Sequence, residues 1–318
     1  MLPQKSSSKP SFVYRLVRFV LNLPLRILGT RAFGLVPCPA DVTIAFPLGH
    51  FYSPIVTPGE LDPAQLWPEE TSIPPGLDFD GPGHIRLLTT VFKPYLRDFD
   101  YPEHGESDAE LTHFYTGNSQ FSWLDARACF ALLRHWRPAR IIEIGSGFST
   151  ILTADINARF LGGTTQILAI EPFPRPFLHA LPGVKLLRQR IQDVDIEVVD
   201  QLCSGDVLFV DSTHIAKTGS DVNHIVFKLL PRLKPGVFVH FHDIFLPHEY
   251  PKDWVLDDNR SWNEQYLLQA LLMFNTRFKI VFSSSYAVTF ARNELADALG
   301  SQHVVGGGSL WLQVTDNA

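Results

Sequence analysis

The sequence predicts an α/β protein built on a mostly parallel sheet with helices on both faces, and three features carry that reading. From Arg140 onward, short apolar runs alternate with helical patterns, as strand–helix–strand units do. The segment Ile141-Ile142-Glu143-Ile144-Gly145-Ser146-Gly147-Phe148-Ser149-Thr150 joins a buried strand to a helix start through two glycines, where a bound molecule can lie against bare backbone. The last two apolar runs, 278–282 and 309–314, lack strand–helix–strand spacing, which predicts a final strand inserted antiparallel.

The elements follow in chain order. Residues 12–28 place Arg15, Arg18, Asn22 and Arg26 within a narrow arc of a helix, with Leu16, Val17, Val20, Leu21 and Ile27 elsewhere, and Pro24 bends or stops it. This segment suits a helix packed on the protein or a partner subunit, a weak membrane-surface contact, or a targeting peptide. Residues 35–83 read as a proline-rich wrap or substrate cover. Residues 84–98 form a helix, Ser107–Tyr115 a shorter one, and Ser122–Arg134 a third with Ser122 as N-cap and Asp125 three residues on. Then come a strand at 140–144, a helix over about 149–160, and strands at 166–170 and 184–187. A strand at 206–211, a crossover helix from Val222 to Leu230 and a strand at 236–242 follow. The tail holds a helix from Asn263 to Phe274, the strand 278–282, the turn Gly306-Gly307-Gly308 and the strand 309–314.

Composition bounds the function. The 318 residues, 45% hydrophobic and 19% charged, suit a globular enzyme, and 24 Pro with 24 Phe suit long packed loops. A formal charge of -6 argues against a broad nucleic-acid-binding surface. Cys38, Cys129 and Cys203 are too scattered for a metal motif or a disulfide framework, so reduced thiols and a cytoplasmic location are expected. No run of eighteen apolar residues marks a transmembrane span.

The glycine turn departs from a dinucleotide fingerprint, because Thr150 stands where the third glycine would be. Glu143 repels a pyrophosphate and suits a cationic ligand, which points to S-adenosylmethionine, whose amino and sulfonium groups are positive. Glu171, closing the run Gln166–Ile170, stands where an acid accepts hydrogen bonds from ribose hydroxyls. That spacing also occurs in NAD-dependent oxidoreductases, and a non-catalytic scaffold with the same fold is a further alternative.

Together with Glu171-Pro172, Phe209-Val210-Asp211-Ser212 and Leu233–Asp243, the glycine segment resembles the class I S-adenosylmethionine-dependent methyltransferases, and among them methyltransferase family 24. The resemblance spans about residues 120–315. It implies a Rossmann-like, doubly wound seven-stranded sheet with its last strand antiparallel. Residues 121–318 would then be the methyltransferase domain and 1–120 a helical, loop-rich extension or substrate cover. It also implies that Glu143, Gly145, Ser146 and Gly147 surround the methionine part of the cofactor, and that Glu171 holds its ribose. Gln192 and Asp193 border the adenine, with Asp211 beyond them.

Methyl transfer from a sulfonium is an in-line displacement that needs alignment and, for a protonated acceptor, removal of a proton. The ends of the fourth and fifth strands carry Asp211 with His214 and Asp243 with His242. Three arrangements are open. Asp211, Asp243 and His242 hold a divalent cation such as Mg2+, His214 or His242 is the general base, or alignment of acceptor and methyl group alone suffices. His240 shares a strand face with His242 and serves the backbone or core. The acceptor is expected to be a hydroxyl of a small molecule, a sugar or secondary metabolite, with amine methylation as the alternative and a homo-oligomer as an open assembly. The aromatic stretch from Ile244 to Trp262 is either a clamp or a pocket wall, with Tyr115, Asn118 and Phe121 facing it.

Overall fold

The alternation of apolar runs folds into a sheet of seven strands in the order β3-β2-β1-β4-β5-β7-β6. They are β1 (Arg140–Ile144), β2 (Gln166–Ile170), β3 (Val184–Leu187), β4 (Val207–Val210), β5 (Phe238–Phe241), β6 (Phe278–Ser283) and β7 (Leu310–Val314). This computed structural model describes residues 50–107, 111–302 and 304–316. The expected helix at 12–28, Cys38 and the first part of the proline-rich wrap lie outside the described residues. Pro54–Ala318 form one compact unit.

β1 to β5 pair in parallel, and β7 runs antiparallel to both β5 and β6. Two helices explain the antiparallel entry, α7 (Ser284–Phe290) and α8 (Arg292–Leu299), which the sequence reading did not include. They carry the chain back so that β7 slots between its neighbours. Their start has a local signal, since Ser283 Oγ accepts from the Tyr286 amide at 3.1 Å as an N-cap.

Side-chain alternation along the strands sends Ile141, Val207, Phe209 and Trp311 into one core and Ile142, Leu208, Val210 and Leu312 into the other. The first core lies under the helical run α1 (81–98), α2 (Trp123–Trp136) and α3 (Phe148–Phe160). Trp136 stacks flat on Phe238 of β5 at 3.7 Å, which fixes α2 against the sheet. Arg137 then takes a left-handed C-cap and Pro138 stops the helix. The other core is covered by the helical run α4 (221–232) and α6 (Glu264–Met273), with the short α5 (Lys252–Leu256) before it.

Two local expectations need correction. Leu111–Tyr115, the described end of the predicted Ser107–Tyr115 helix, is not helical. Its anchors Leu111 and Phe114 are buried in the core, and the amides of Thr116 and Gly117 bond Pro102 and Glu103, so this backbone closes a loop instead. Ser122 does stand at the N-cap of α2, but its hydroxyl makes no cap hydrogen bond. The Asp125 carboxylate is engaged elsewhere, with consequences for the site.

Candidate active site

The strand order reverses between β1 and β4, so their C-terminal ends open a crevice at a switch point of the sheet. Gly145 occupies it with φ +79°, and a Cβ there would sit 1.7 Å from the Asp211 carbonyl oxygen. Only glycine lets the turn after β1 pass so close to the end of β4. Thr150 Oγ1 accepts from the Gly147 amide at 3.0 Å, so the residue in the third glycine position uses up a helix N-terminal donor that a diphosphate would need. Glu171 accepts from the Ser146 amide at 3.3 Å and the Phe173 amide at 2.7 Å, which fixes its carboxylate beside the glycine turn. The Phe173 ring next to it is 86% exposed.

Glu143 lies beneath this floor. It is buried, the Ser149 hydroxyl donates to its Oε1 at 2.5 Å, and Oε2 has no partner. Burial pushes its carboxyl up to about 8, against hydrogen bonds from Ser149 and Thr150 that favour the charged form.

Beyond the turn, four acids and two histidines interleave. His214, held at φ +60°, puts Nδ1 2.9 Å from buried Glu264 and aims Nε2 between Asp211 at 3.5 Å and Asp243 at 3.6 Å. His242 puts Nδ1 3.4 Å from Asp211 and 3.7 Å from Asp243, with Nε2 3.4 Å from Asp125. Asp125 is itself held by Ser284 Oγ at 2.7 Å and the amides of Gly308 and Ser309, each at 2.9 Å. Gly307 and Gly308 make that approach possible, since Cβ atoms there would meet Asp125 Oδ1 at 2.2 Å and Asp243 Cα at 2.8 Å.

Burial alone disfavours charge on all of these groups, and their mutual pairing overrides it for most. For Asp211, burial is outweighed by His242 and His214, which hold the carboxyl well below the usual range. For His214, burial is outweighed by hydrogen bonds to Asp211 and Glu264, and the imidazole is raised to about 10. His242 is likewise held well above its ordinary value, against burial, by Asp243, Asp211 and Asp125. In Asp243 burial wins and the carboxyl is raised, although His242 and His214 oppose it. His240 is the contrast. It is buried between Phe209 and Trp311 with Nε2 on Ser309 Oγ at 2.8 Å, and burial, then His242, depress its basicity.

Turn and cluster share one cavity of about 800 Å³. Ser146, Gly147, Phe148 and Glu171 line one end, and Asp125, Asp211, His214, His242 and Asp243 the middle. Phe245, Trp254, Arg260 and Trp262 wall the far side, and Asn118, Phe121 and Trp123 close it from the N-terminal direction. Tyr115, expected beside them, packs edge-on against Phe148 and does not line the cavity. Part of the stretch from Ile244 to Trp262 is also a clamp: Gln265 Oε1 accepts from the Phe245 amide at 2.6 Å, and Gln265 Nε2 donates to the His248 carbonyl at 3.0 Å.

Of the residues singled out from sequence, Ser146, Gly147, Glu171, Asp211, His214, His242 and Asp243 meet in the cavity, with Gly145 shaping its floor. Gln192 and Asp193 do not line it. Gln192 Nε2 donates to the Gly219 carbonyl at 3.0 Å, and Asp193 pairs with Arg190. Donor atoms of Asp211, His214 and Asp243 lie within 4.8 Å of one another, and the Nδ1 of His242 stands beside them, 3.4 Å from Asp211 and 3.7 Å from Asp243. Asp125 and Glu264 escaped the sequence reading as site residues. Asp125 carried a signal, since it shares the helix face of Ala128, Cys129 and Leu132, all buried, and an acid on a core-facing stripe requires buried partners.

A switch-point crevice with a two-glycine turn, Glu143 near the end of β1 and Glu171 just after β2 has the form of an S-adenosylmethionine site. The sequence matches the family described as "Methyltransferase domain" over residues 142–244. A protein of Archaeoglobus fulgidus described as uncharacterized is 35% identical over 169 residues, 51% of this chain and 76% of its own. The chain has the fold of the class I S-adenosylmethionine-dependent methyltransferases, and residues 142–244 match methyltransferase family 24. Among solved structures, cofactor-bound Rv0187 from MTB is similar with a TM-score of 0.37 and 13% identity, over 60% of this chain and 79% of that one. A precorrin-6y C5,15-methyltransferase from Geobacter metallireducens has a TM-score of 0.34 and 14% identity, over 67% and 97%. Among the described residues no helix is long and apolar enough to cross a membrane. The match is to methyltransferases and not to the oxidoreductases weighed as an alternative.

Proposed function

We propose that this methyltransferase moves the methyl group of S-adenosylmethionine onto a hydroxyl of a small molecule of the sugar or secondary-metabolite kind. The observation that carries the reading is the convergence of Asp211, His214 and Asp243 at the centre of the cavity, next to the cofactor turn. On this reading Gly145, Ser146 and Gly147 surround the methionine part, with Glu143 beneath them and Glu171 on the ribose.

The donor set fits a divalent cation. Two carboxylates and one imidazole offer three donor atoms within 4.8 Å of one another, and Glu264 fixes the ring of His214 from behind, as outer carboxylates do for ligating histidines. The imidazole favours a first-row transition ion such as manganese over Mg2+, which prefers oxygen donors. When bound, such an ion stabilises negative charge developing on the acceptor's oxygen. The chain's own groups do the remainder. The glycine turn and Glu171 set the direction of the sulfonium, and Asp211 and Asp243 supply the carboxylate donors at the centre. Trp262, 4.4 Å from His214, shields it from water. A histidine base has less support, because the pairing that raises His214 and His242 keeps both protonated near neutral pH without a metal.

Incubation with methyl-labelled cofactor and a panel of hydroxylated small molecules tests the proposal. Label is expected on oxygen, lost on exhaustive chelation and restored by manganese, with Asp243→Ala lowering the rate by roughly 10²–10⁴. Label found only on amines, protein or nucleic acid would sink the hydroxyl reading. Turnover that survives chelation would remove the ion and return the proton to a side chain.

A further inference from the structure

The cavity is lined by Asp125, Glu171, Asp211 and Asp243, and against these acids it holds, among the described residues, a single arginine or lysine, Arg260. That residue belongs to the segment between α5 and α6 and lies on Trp254 and Trp262, the latter 4.4 Å from His214. Its guanidinium lies 4.0 Å over the Trp254 ring and 5.1 Å over the Trp262 ring, and the two indoles meet edge to face at 5.3 Å. Its amide donates to the Trp254 carbonyl at 2.9 Å, and Asn259 before it takes a left-handed φ of +54°, so the backbone holds the side chain in place. Nε and Nη2 both donate to Asp258 Oδ2, at 3.1 and 2.9 Å, and Nη1 has no protein partner among the described residues. Asp258 is half exposed and Arg260 about one-third, so their ion pair is solvated and can be exchanged for another carboxylate at little cost.

A permanently charged planar fork backed by indole faces suits a carboxylate at hydrogen-bonding distance and a ring beside it. Trp123 extends the apolar wall from the opposite side. It is 53% exposed, lines the cavity and is held at φ +49° at the first position of α2, a conformation rarely adopted by a bulky residue. The carboxylates at the centre of the cavity are matched to His214 and His242, so an acidic substituent of the acceptor finds its exchangeable cationic partner in Arg260. This orders the acceptor with its acid outward and its hydroxyl inward. We propose that Arg260 is the specificity-determining residue of the acceptor site, selecting hydroxylated ring compounds that carry a carboxylate and seating the ring on the Trp254–Trp262 wall. The assignment rests on the reading that the cavity takes a small hydroxylated acceptor.

The test titrates the full chain, saturated with S-adenosylhomocysteine, with a vicinal dihydroxybenzoate and separately with its neutral amide. Binding is read by calorimetry and by tryptophan fluorescence. The acid is expected to bind about tenfold tighter than the amide or better. Arg260→Gln should weaken the acid by roughly 10–100-fold and leave the amide and S-adenosylhomocysteine within about twofold, while Arg260→Lys recovers part of the preference. Asp258→Asn, which removes the competing carboxylate, should tighten the acid a few-fold, a result that a purely structural Arg260 does not produce. Acid and amide binding alike, or a preference that survives Arg260→Gln, overturns the assignment. Label transfer from methyl-labelled cofactor separates the two readings. Acid preference without label on oxygen sinks the hydroxyl reading and keeps the Arg260 site, whereas label on oxygen without acid preference does the reverse.

Discussion

Glu143 and Asp211 stand at the C-terminal ends of adjacent parallel strands and meet opposite fates. Both suffer desolvation. Glu143 has hydroxyls for neighbours and is pushed up to about 8, whereas Asp211 has two imidazoles beside it and is held ionised. The cofactor side of the cavity is therefore built from backbone, hydroxyls and the Glu171 carboxylate, with the raised carboxyl of Glu143 beneath them. The acceptor side is built from paired charges. A buried acid keeps its charge only where a cation accompanies it, and this protein places that cation on one side of Gly145.

The strongest attempt to break the comparison is Gly145→Ala, because this glycine is where the two sides touch. The new Cβ would meet the Asp211 carbonyl from a positive-φ backbone, so the turn must move. A loss of roughly 4 kcal/mol or more in unfolding free energy is expected, with S-adenosylhomocysteine binding and turnover lost together. Retained cofactor affinity would show that the two sides are not joined there.

Asp125→Asn acts on the acceptor side alone. It withdraws the charge that faces His242 and leaves at least one of the donors from Ser284, Gly308 and Ser309 poorly paired, at a cost of roughly 1–3 kcal/mol by chemical denaturation. Turnover should fall while S-adenosylhomocysteine affinity holds. Equal losses of both would mean that the sides are not separable.

The change with the smallest effect at pH 5, and the one that sharpens the contrast, is Glu143→Gln. Since the folded pKa is raised from 4.5 to about 8, the favourable contribution of the protonated carboxyl is complete below about pH 4.5 and is lost as pH rises through about 8. The amide cannot ionise. The variant should lie within about 1 kcal/mol of the parent at pH 5 and gain on it as pH approaches 8, as followed by urea unfolding across pH. A difference independent of pH would show that Glu143 is already ionised in the folded chain.

How much of this was legible follows from distance along the chain. β1, the glycine turn and the start of α3 are consecutive residues, and a short apolar run closed by two glycines announces them locally. β4 and β5 were equally plain as apolar runs, and so Asp211, His214, His242 and Asp243 could be placed at their ends. The Ser107–Tyr115 segment misled, because its apolar residues anchor a loop by tertiary packing that no periodicity reports. The helices α7 and α8 were passed over between two strands, although a serine N-cap marked their beginning.

By itself the sequence determined a parallel sheet with a late antiparallel strand, the glycine turn and the acids of the crevice, since each depends on neighbours within a few residues. Tertiary structure alone decided that Asp125 reaches Ser284 and Gly308 across more than 150 residues, that Glu264 stands behind His214, and that Arg260 lies on two indoles at the rim. Whether a buried side chain is charged depends on which groups surround it, and those groups come from segments that only the folded sheet brings together.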